Sequence, residues 1–389
     1  MENESIKLKN ISFNKKIKKI NFIKLLLLVF ILLFLIIFSL ILTFFNMNSL
    51  LNKYIPILKN IKFYGDNYLK NEEKINDINY NKRKKNYILK CVYDEDIRFY
   101  KQILQLYAEN KTAFKIRGRQ RIMERYGKIY NESNIKTIQD KLNWLLIHEN
   151  PENKTNLVDK ILLHEYSKKK LGKDICVPIL KVYNSSEEID LHQLPEKFVL
   201  KCNHGSGMNI LCSDKSKLNL MNAKIKLDKW MSINYGLISF EYQYININKK
   251  IFAEQYLLDN IIDYKIYCFN GEPKFIRVQK KLADDSEKVN NYYNLDWTLN
   301  DIESGLGKHF IRRPDFIFEK PKNLELMIKY ARKLSSDFSF VRVDFYDLNE
   351  TVYLGEMTFA PSNIRFNCKD KNQSLYLGNL LDITKVQTN

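Results

Sequence analysis

Phe340-Val341-Arg342-Val343-Asp344-Phe345-Tyr346-Asp347-Leu348, followed across a polar turn by Val352-Tyr353-Leu354-Gly355-Glu356-Met357-Thr358-Phe359, is the stretch on which the fold turns. Its alternation puts Val341, Val343 and Phe345 on one face of a strand and Arg342, Asp344 and Tyr346 on the other. On the partner strand Val352, Leu354, Glu356 and Thr358 share a face. A three-residue turn, Asn349-Glu350-Thr351, pairs Leu348 with Val352 and sets Asp344 opposite Glu356. A two-residue turn sends the two carboxylates to opposite faces, so register decides between the readings. Opposed carboxylates repel unless something positive lies between them. A magnesium ion bridging to phosphate meets that need; the plainer alternative pairs Arg342 with one carboxylate on a solvated face.

Upstream, Phe198-Val199-Leu200-Lys201-Cys202 is an apolar strand carrying one lysine, and Asn203-His204-Gly205-Ser206-Gly207 follows it. Two glycines around a serine let backbone N–H groups approach an anion closely, and Lys201 adds a fixed positive charge. A nucleotide's phosphates fit that combination; a simple hairpin turn is the alternative. No G-K-[S/T] follows, so this is not a P-loop. His204 is a loop histidine, satisfied by backbone or catalytic.

Between these motifs the texture is mixed. Residues 92–150 read as mostly helical, with an amphipathic stretch from Thr137 to Leu146. Pro151-Glu152-Asn153 breaks the pattern, and Thr155 or Asn156 is positioned to cap a helix running to Leu171 and ended by Gly172. Short β-rich runs follow at Val177–Val182, Asn209–Cys212, Ile251–Leu257, Tyr264–Phe269 and Phe275–Gln279, and Asn270-Gly271 marks a hairpin. A helix from Asn323 to Asp337 precedes the carboxylate hairpin. Strands and helices in this order predict an α+β or α/β enzyme.

Composition separates the N-terminus from the rest. Net charge is +18, and residues 1–90, with 17 Lys/Arg and 6 Asp/Glu, hold +11 of it. Leu25–Phe45 is apolar except for Ser39 and Thr43, long enough to cross the hydrocarbon core, and Asn46-Met47-Asn48 offers no cleavage site. Basic charge around such a helix points to a membrane surface rather than nucleic acid. The chain therefore divides into a basic leader at 1–24, a transmembrane anchor at 25–45, a polar stalk at 46–90, a helical segment at 91–150 and a catalytic domain at 151–389. Lys15, Lys16, Lys18, Lys19 and Lys24 place the N-terminus in the cytoplasm by the positive-inside rule. Nucleotide-dependent chemistry and reduced thiols place the large domain there instead, and that orientation is the one expected. Cys91, Cys176, Cys202, Cys212, Cys268 and Cys368 form no C-x-x-C pair, their spacings suggest no zinc site, and free buried thiols are expected.

Taken in order, Asp159-Lys160-Ile161-Leu162, Lys201 before His204-Gly205-Ser206-Gly207, Glu254-Gln255-Tyr256-Leu257, Asp263-Tyr264-Lys265, Arg342-Val343-Asp344 and Glu356-Met357-Thr358 resemble the ATP-grasp superfamily, and most closely its TupA-like branch, named for teichuronopeptide synthesis. The resemblance runs from Lys136 to Leu381. It implies an ATP-grasp fold, two α+β subdomains clasping a nucleotide, with ATP and magnesium (Mg2+) as cofactors. It further implies a ligase that forms an acyl phosphate for attack by an amine or similar nucleophile. By the same resemblance Lys160, Lys201, Gly205, Ser206 and Gly207 contact phosphates, and Glu254, Gln255, Tyr256 and Leu257 line the adenine pocket. Asp344 and Glu356 hold magnesium, and Lys265 and Arg342 neutralise the transferring phosphoryl group. Thr358 stands where many ATP-grasp enzymes carry asparagine, and Pro361-Ser362-Asn363-Ile364 where this branch tends to have a glycine-rich loop.

The leading expectation is a membrane-anchored ATP- and magnesium-dependent carboxylate ligase acting on a cell-envelope polysaccharide or peptide. A membrane-anchored glycosyltransferase is the second; it calls for a nucleotide-sugar site, and Asp94-Glu95-Asp96 is the nearest approach to a D-x-D motif. An inactive ATP-grasp binding module is the third.

Overall fold

The computed structural model describes residues 105, 107–124, 130–259, 261–281, 288–303, 310–364, 368, 370–384 and 386. The expected leader, the anchor Leu25–Phe45, the stalk and Asp94-Glu95-Asp96 lie outside the described residues. Among the described residues no helix is long and apolar enough to cross a membrane. By its contacts the chain divides into Met1–Glu72 and Glu73–Asn389, and every described residue belongs to the second unit.

In chain order the elements are helices α1 (Lys111–Glu124), α2 (Ile138–His148), α3 (Glu152–Val158) and α4 (Leu163–Leu171), strands β1 (Ile179–Tyr183), β2 (Phe198–Cys202) and β3 (Asn209–Cys212), helices α5 (Leu220–Ser232) and α6 (Tyr235–Ser239), strands β4 (Ile251–Gln255), β5 (Asp263–Phe269), β6 (Glu272–Lys281), β7 (Lys288–Tyr293), β8 (Leu299–Asn300) and β9 (Phe310–Ile311), helix α7 (Leu324–Ser335), strands β10 (Phe340–Leu348) and β11 (Thr351–Thr358), and helix α8 (Lys371–Asn379). They build two sheets. One has the order β1-β4-β2-β3, the other β11-β10-β5-β6-β7-β8, with β9 beside β7. The pairings are antiparallel except β7 with β9. The fold is thus α+β.

The larger sheet is covered on both faces, and alternation decides which side chain goes where. Ile266, Cys268, Val341, Val343 and Phe345 pack with Met327, Ala331 and Leu334 of α7. On the opposite face Tyr267, Phe269, Phe275 and Phe340 pack with Ile138, Leu142, Leu145 and Leu146 of α2 and Leu377 of α8. Lys265, Arg342 and Asp344 share that second face in register with the aromatic residues, farther along the strands. One sheet face therefore carries an apolar half under helices and a charged half.

The hairpin at β10 and β11 corrects the expected register. Asn349 and Glu350 take positive φ (49° and 64°), the primed two-residue turn that follows strand twist, so Leu348 pairs with Thr351 and not Val352. By itself that turn would send Asp344 and Glu356 to opposite faces. A bulge intervenes: Phe345 pairs with Leu354 and Asp344 with Glu356, leaving Gly355 as the extra residue. The bulge also splits the face predicted for β11. Val352 and Leu354 join Met357 and Phe359 in the core under α7, while Glu356 and Thr358 turn to the charged side.

The helix expected from Thr155 or Asn156 to Leu171 is two helices. The chain breaks at Asp159-Lys160, where the Asp159 carboxylate accepts from the N–H groups of Ile161 (2.9 Å) and Leu162 (3.3 Å) and from Asn203 Nδ2 (2.9 Å). That exchange of helix for side-chain bonds is characteristic of aspartate. Gly172 ends α4 in the left-handed region (φ 76°), as expected.

Two buried polar groups fix the loops around the charged half. Arg119 of α1, 0% exposed, donates to Asn143 Oδ1 (2.7 Å) and Asn363 Oδ1 (2.6 Å), and Asn363 Nδ2 donates to the Ser239 carbonyl (2.8 Å). This holds Ser362, Asn363 and Ile364, all at positive φ, against α2 and the end of α6. His204 is buried and bonded through Nε2 to the Trp230 carbonyl (3.0 Å), tying the β2–β3 loop to α5. Burial lowers its pKa to about 4.

Replacing Arg119 with Met should cost about 2–4 kcal/mol, because the asparagine oxygens it serves stay buried without their donor; urea denaturation measures it, and a loss under about 0.5 kcal/mol would remove the clamp from the structure's supports. His204, neutral when folded, must resist protonation between pH 6.5 and 4. Its folded pKa lies below the unfolded one, so stability is full above about pH 6.5 and declines as pH falls toward 4, by about 3 kcal/mol in total. His204→Gln should flatten that part of the stability–pH curve.

Candidate active site

The charged half of the larger sheet begins with the β10–β11 register. Cross-strand neighbours Lys265, Asp344 and Glu356 form a row over β5, β10 and β11. Arg342 lies one pair along, opposite Thr358. Its Nε donates to Asp344 Oδ1 (2.6 Å), and its Nη2 donates to Asp344 Oδ2 (2.7 Å), Glu356 Oε1 (2.7 Å) and Thr358 Oγ1 (3.1 Å). Lys265 Nζ donates to Asp344 Oδ2 (2.8 Å) and pairs with Asp263 (3.2 Å). The positive charge between the opposed carboxylates is thus Arg342, seconded by Lys265. Thr358 is drawn into the same network and donates to Glu356 Oε1 (3.0 Å).

Burial and charge compete at every member. Asp344 is 2% exposed, and burial raises its carboxyl against the pull of Arg342 and Lys265. Burial works to raise Glu356 too, but Arg342, Lys265 and Lys160 outweigh it and hold the carboxyl at about 2. Burial works to lower Lys265, and Asp344 and Asp263 carry it upward instead. The carboxylate of Glu356 is therefore ionised across the physiological range.

The smaller sheet supplies the other half. Lys201 on β2 and Glu254 on β4 project to the same face and form an ion pair. The β2–β3 turn follows, with Gly207 at φ 74°, a conformation that side chains resist. Gly205 is buried, Ser206 and Gly207 are exposed, and Lys160 Nζ donates to the Gly205 carbonyl (2.5 Å). Burial lowers the pKa of Lys160, and Glu356 opposes that shift. Gln255 ends β4 exposed, with its N–H on the Pro178 carbonyl (2.9 Å). Tyr256 and Leu257 continue as a half-buried irregular segment, with the Tyr256 hydroxyl on Asp259.

The two groups face each other. Lys160, attached to the smaller sheet's loop, is close enough to the larger sheet's Glu356 that each stabilises the other's charge. Leu354 N–H donates to the Ile175 carbonyl (2.7 Å), joining β11 to the segment that enters β1. Lys160, Lys201, Gly205, Ser206, Glu254, Lys265, Arg342, Asp344 and Glu356 thus gather at one junction, and Gln255, Tyr256 and Leu257 follow Glu254 where β4 ends. Sequence reading passed over Asn203, 1% exposed, which donates to Asp159 and the Asn248 carbonyl and accepts from Lys250 N–H (2.8 Å), locking Lys160 against the loop. It also passed over Tyr235, whose hydroxyl donates to buried Glu241 (3.1 Å) and interacts with Ser206. An asparagine beside a lysine strand carries no pattern of its own.

The donor set suits a divalent cation with phosphate. Glu356 retains an oxygen outside the bonds above, and two carboxylates offer the hard oxygen ligands that magnesium takes.

A model of the TupA-like ATPgrasp family matches residues 140–382. A search of curated proteins gave no match. Among solved structures the chain is similar to D-alanine--D-alanine ligase from Bacillus anthracis complexed with ATP (15% identity, TM-score 0.35) and to N5-carboxyaminoimidazole synthetase from Staphylococcus aureus complexed with ADP (15% identity, TM-score 0.32). The matches cover 59% and 56% of this chain and 66% and 48% of those chains. The likenesses at this level say nothing of activity, but the family match spans more than half of the sequence: the chain belongs to the TupA-like ATP-grasp family.

Proposed function

We propose that this chain is an ATP- and magnesium-dependent ligase that activates a carboxylate as an acyl phosphate for attack by an amine or related nucleophile. It is held at a membrane by Leu25–Phe45, with its catalytic domain on the cytoplasmic side, and acts on a cell-envelope polysaccharide or peptide. The observation that carries the ligase reading is the junction where Lys160 and Lys201 meet Glu356, Asp344, Arg342 and Lys265. The membrane and envelope parts rest on the apolar run at 25–45 and on the family's name. ATP with magnesium supplies a γ-phosphoryl group and the charge that steadies it.

The protein's own groups divide the work. Lys160 is held by the Gly205 carbonyl beside the β2–β3 loop, whose backbone approaches an anion closely at Gly207. Arg342 and Lys265 are fixed cations in a buried setting, where they stabilise charge developing on a phosphoryl group without reorganising. Glu356, ionised and half-buried, is the first cation ligand. Asp344, its cross-strand neighbour, would supply the second carboxylate toward the same ion. Tyr235 steadies Ser206.

Magnesium ATP at about 100 times its dissociation constant should stabilise the protein by roughly 2.7 kcal/mol. Lys201→Ala should shrink the corresponding melting shift; a rise with UDP-sugars and none with ATP would favour the glycosyltransferase. The two carboxylates should differ on substitution. Glu356→Gln should abolish magnesium-dependent turnover with little loss of stability. Asp344→Asn should also destabilise by about 3 kcal/mol, because Arg342 loses its two-point anion and Lys265 its buried one, with only Glu356 and Asp263 left to them. Equal melting temperatures for the two variants would contradict this division.

A further inference from the structure

We propose a second metal site, for Zn2+ or a similar transition-metal ion, formed by His164, Asp174 and Cys176 at the junction between the two sheets. Their ligand atoms (an imidazole nitrogen, a carboxylate oxygen and the thiol sulfur) lie within 4.8 Å of one another. His164 Nδ1 is 2.7 Å from Asp174 Oδ2, and Asp174 Oδ1 accepts from the Cys176 N–H (2.9 Å). Nitrogen, oxygen and sulfur donors together suit zinc, which binds them at about 2.0–2.3 Å. Tetrahedral ligation at those lengths needs ligand atoms about 3.3–3.8 Å apart, so the His164–Asp174 pair opens by about 0.6 Å and no pair closes by more than about 1.5 Å. The side chains of His164 (18% exposed) and Asp174 (40% exposed) have room to do so, and they leave the ion a path from solvent. Cys176 is buried and supplies the inner ligand. On binding, the metal–sulfur bond replaces the S–H bond and the thiol proton leaves to solvent. Water fills the fourth position.

Placement separates this cluster from the magnesium ligands. His164 sits in the first turn of α4, four residues after Lys160. Asp174 and Cys176 flank Ile175, whose carbonyl takes the Leu354 N–H of β11 (2.7 Å), two residues before Glu356. Ser167 of α4 further accepts from the Ile175 N–H (3.1 Å). An ion here would cross-link α4 to the segment that joins the sheets, bracing the frame that sets Lys160 against Glu356. The cysteine spacings alone hide the site, since only one ligand is a cysteine.

The test is titration of the purified full chain with Co2+, read by absorbance. One equivalent should produce the ligand-field bands of tetrahedral cobalt and the near-ultraviolet sulfur-to-cobalt charge-transfer band, and Zn2+ should bleach both. Cys176→Ser should abolish the charge-transfer band, whereas Cys368→Ser should keep it. Asp174→Ala, at an exposed position, should weaken binding about tenfold or more while leaving the circular dichroism unchanged, which keeps the test valid if the Cys176 variant misfolds. Absence of the charge-transfer band, its persistence in Cys176→Ser, or unaltered affinity in Asp174→Ala would overturn the proposal.

Discussion

A guanidinium bridging two carboxylates from adjacent strands is the interaction on which the active end of this protein depends. Arg342 is 6% exposed, and desolvating it is costly unless each face of the fork finds an acceptor. Asp344 takes the Nε–Nη2 edge and Glu356 shares Nη2 with it, so removal of either leaves a different deficit. Such a network contributes less to net stability than its short bonds suggest. What it secures is position: a charged group held in a dry setting needs no rearrangement when an anion arrives. The helices α2 and α8 cover the aromatic half of the same sheet face and leave the charged half to meet the β2–β3 loop.

Much of this was legible in the amino-acid order because local pattern and global fold agree. Phe198–Cys202, Asn209–Cys212 and Phe340–Leu348 are strands with the very ends that alternation and turn residues suggest. Asn270 and Gly271 take the positive φ that a two-residue hairpin demands. The buried thiols at Cys176, Cys202, Cys212 and Cys268 are free. The family was legible for the same reason, since its motifs are strand-borne charges in fixed order.

What escaped reading has a common cause: it is decided by partners distant in sequence. The Asp159-Lys160 break is made where Asn203 offers Asp159 a bond, and helical periodicity runs through it unmarked. Arg119 looks like an ordinary basic helix residue until Asn143 and Asn363 close on it from opposite ends of the chain. Strand β7 carries Asn290 and Asn291 in its middle, a pair that reads as loop, yet Asn291 bonds the Arg313 and Phe316 carbonyls and so is satisfied in the interior. The predicted register reached the correct pairing of Asp344 with Glu356 through an incorrect turn; Gly355, an isolated glycine inside a strand and so a mark of a bulge, was the signal that would have corrected it.

That bulge sets an arithmetic rule for the hairpin. A turn of two residues and one bulge residue have the same facing parity as a turn of three and an unbroken ladder. With the residues between Asp344 and Glu356 fixed in number, the loop after β10 cannot slip from two residues to three unless the ladder closes over the bulge in the same step. A hairpin that slipped by one residue and kept the bulge would turn its glutamate toward Val352, Leu354 and their neighbours, so a change of register alone, with every side chain intact, would empty the charged face.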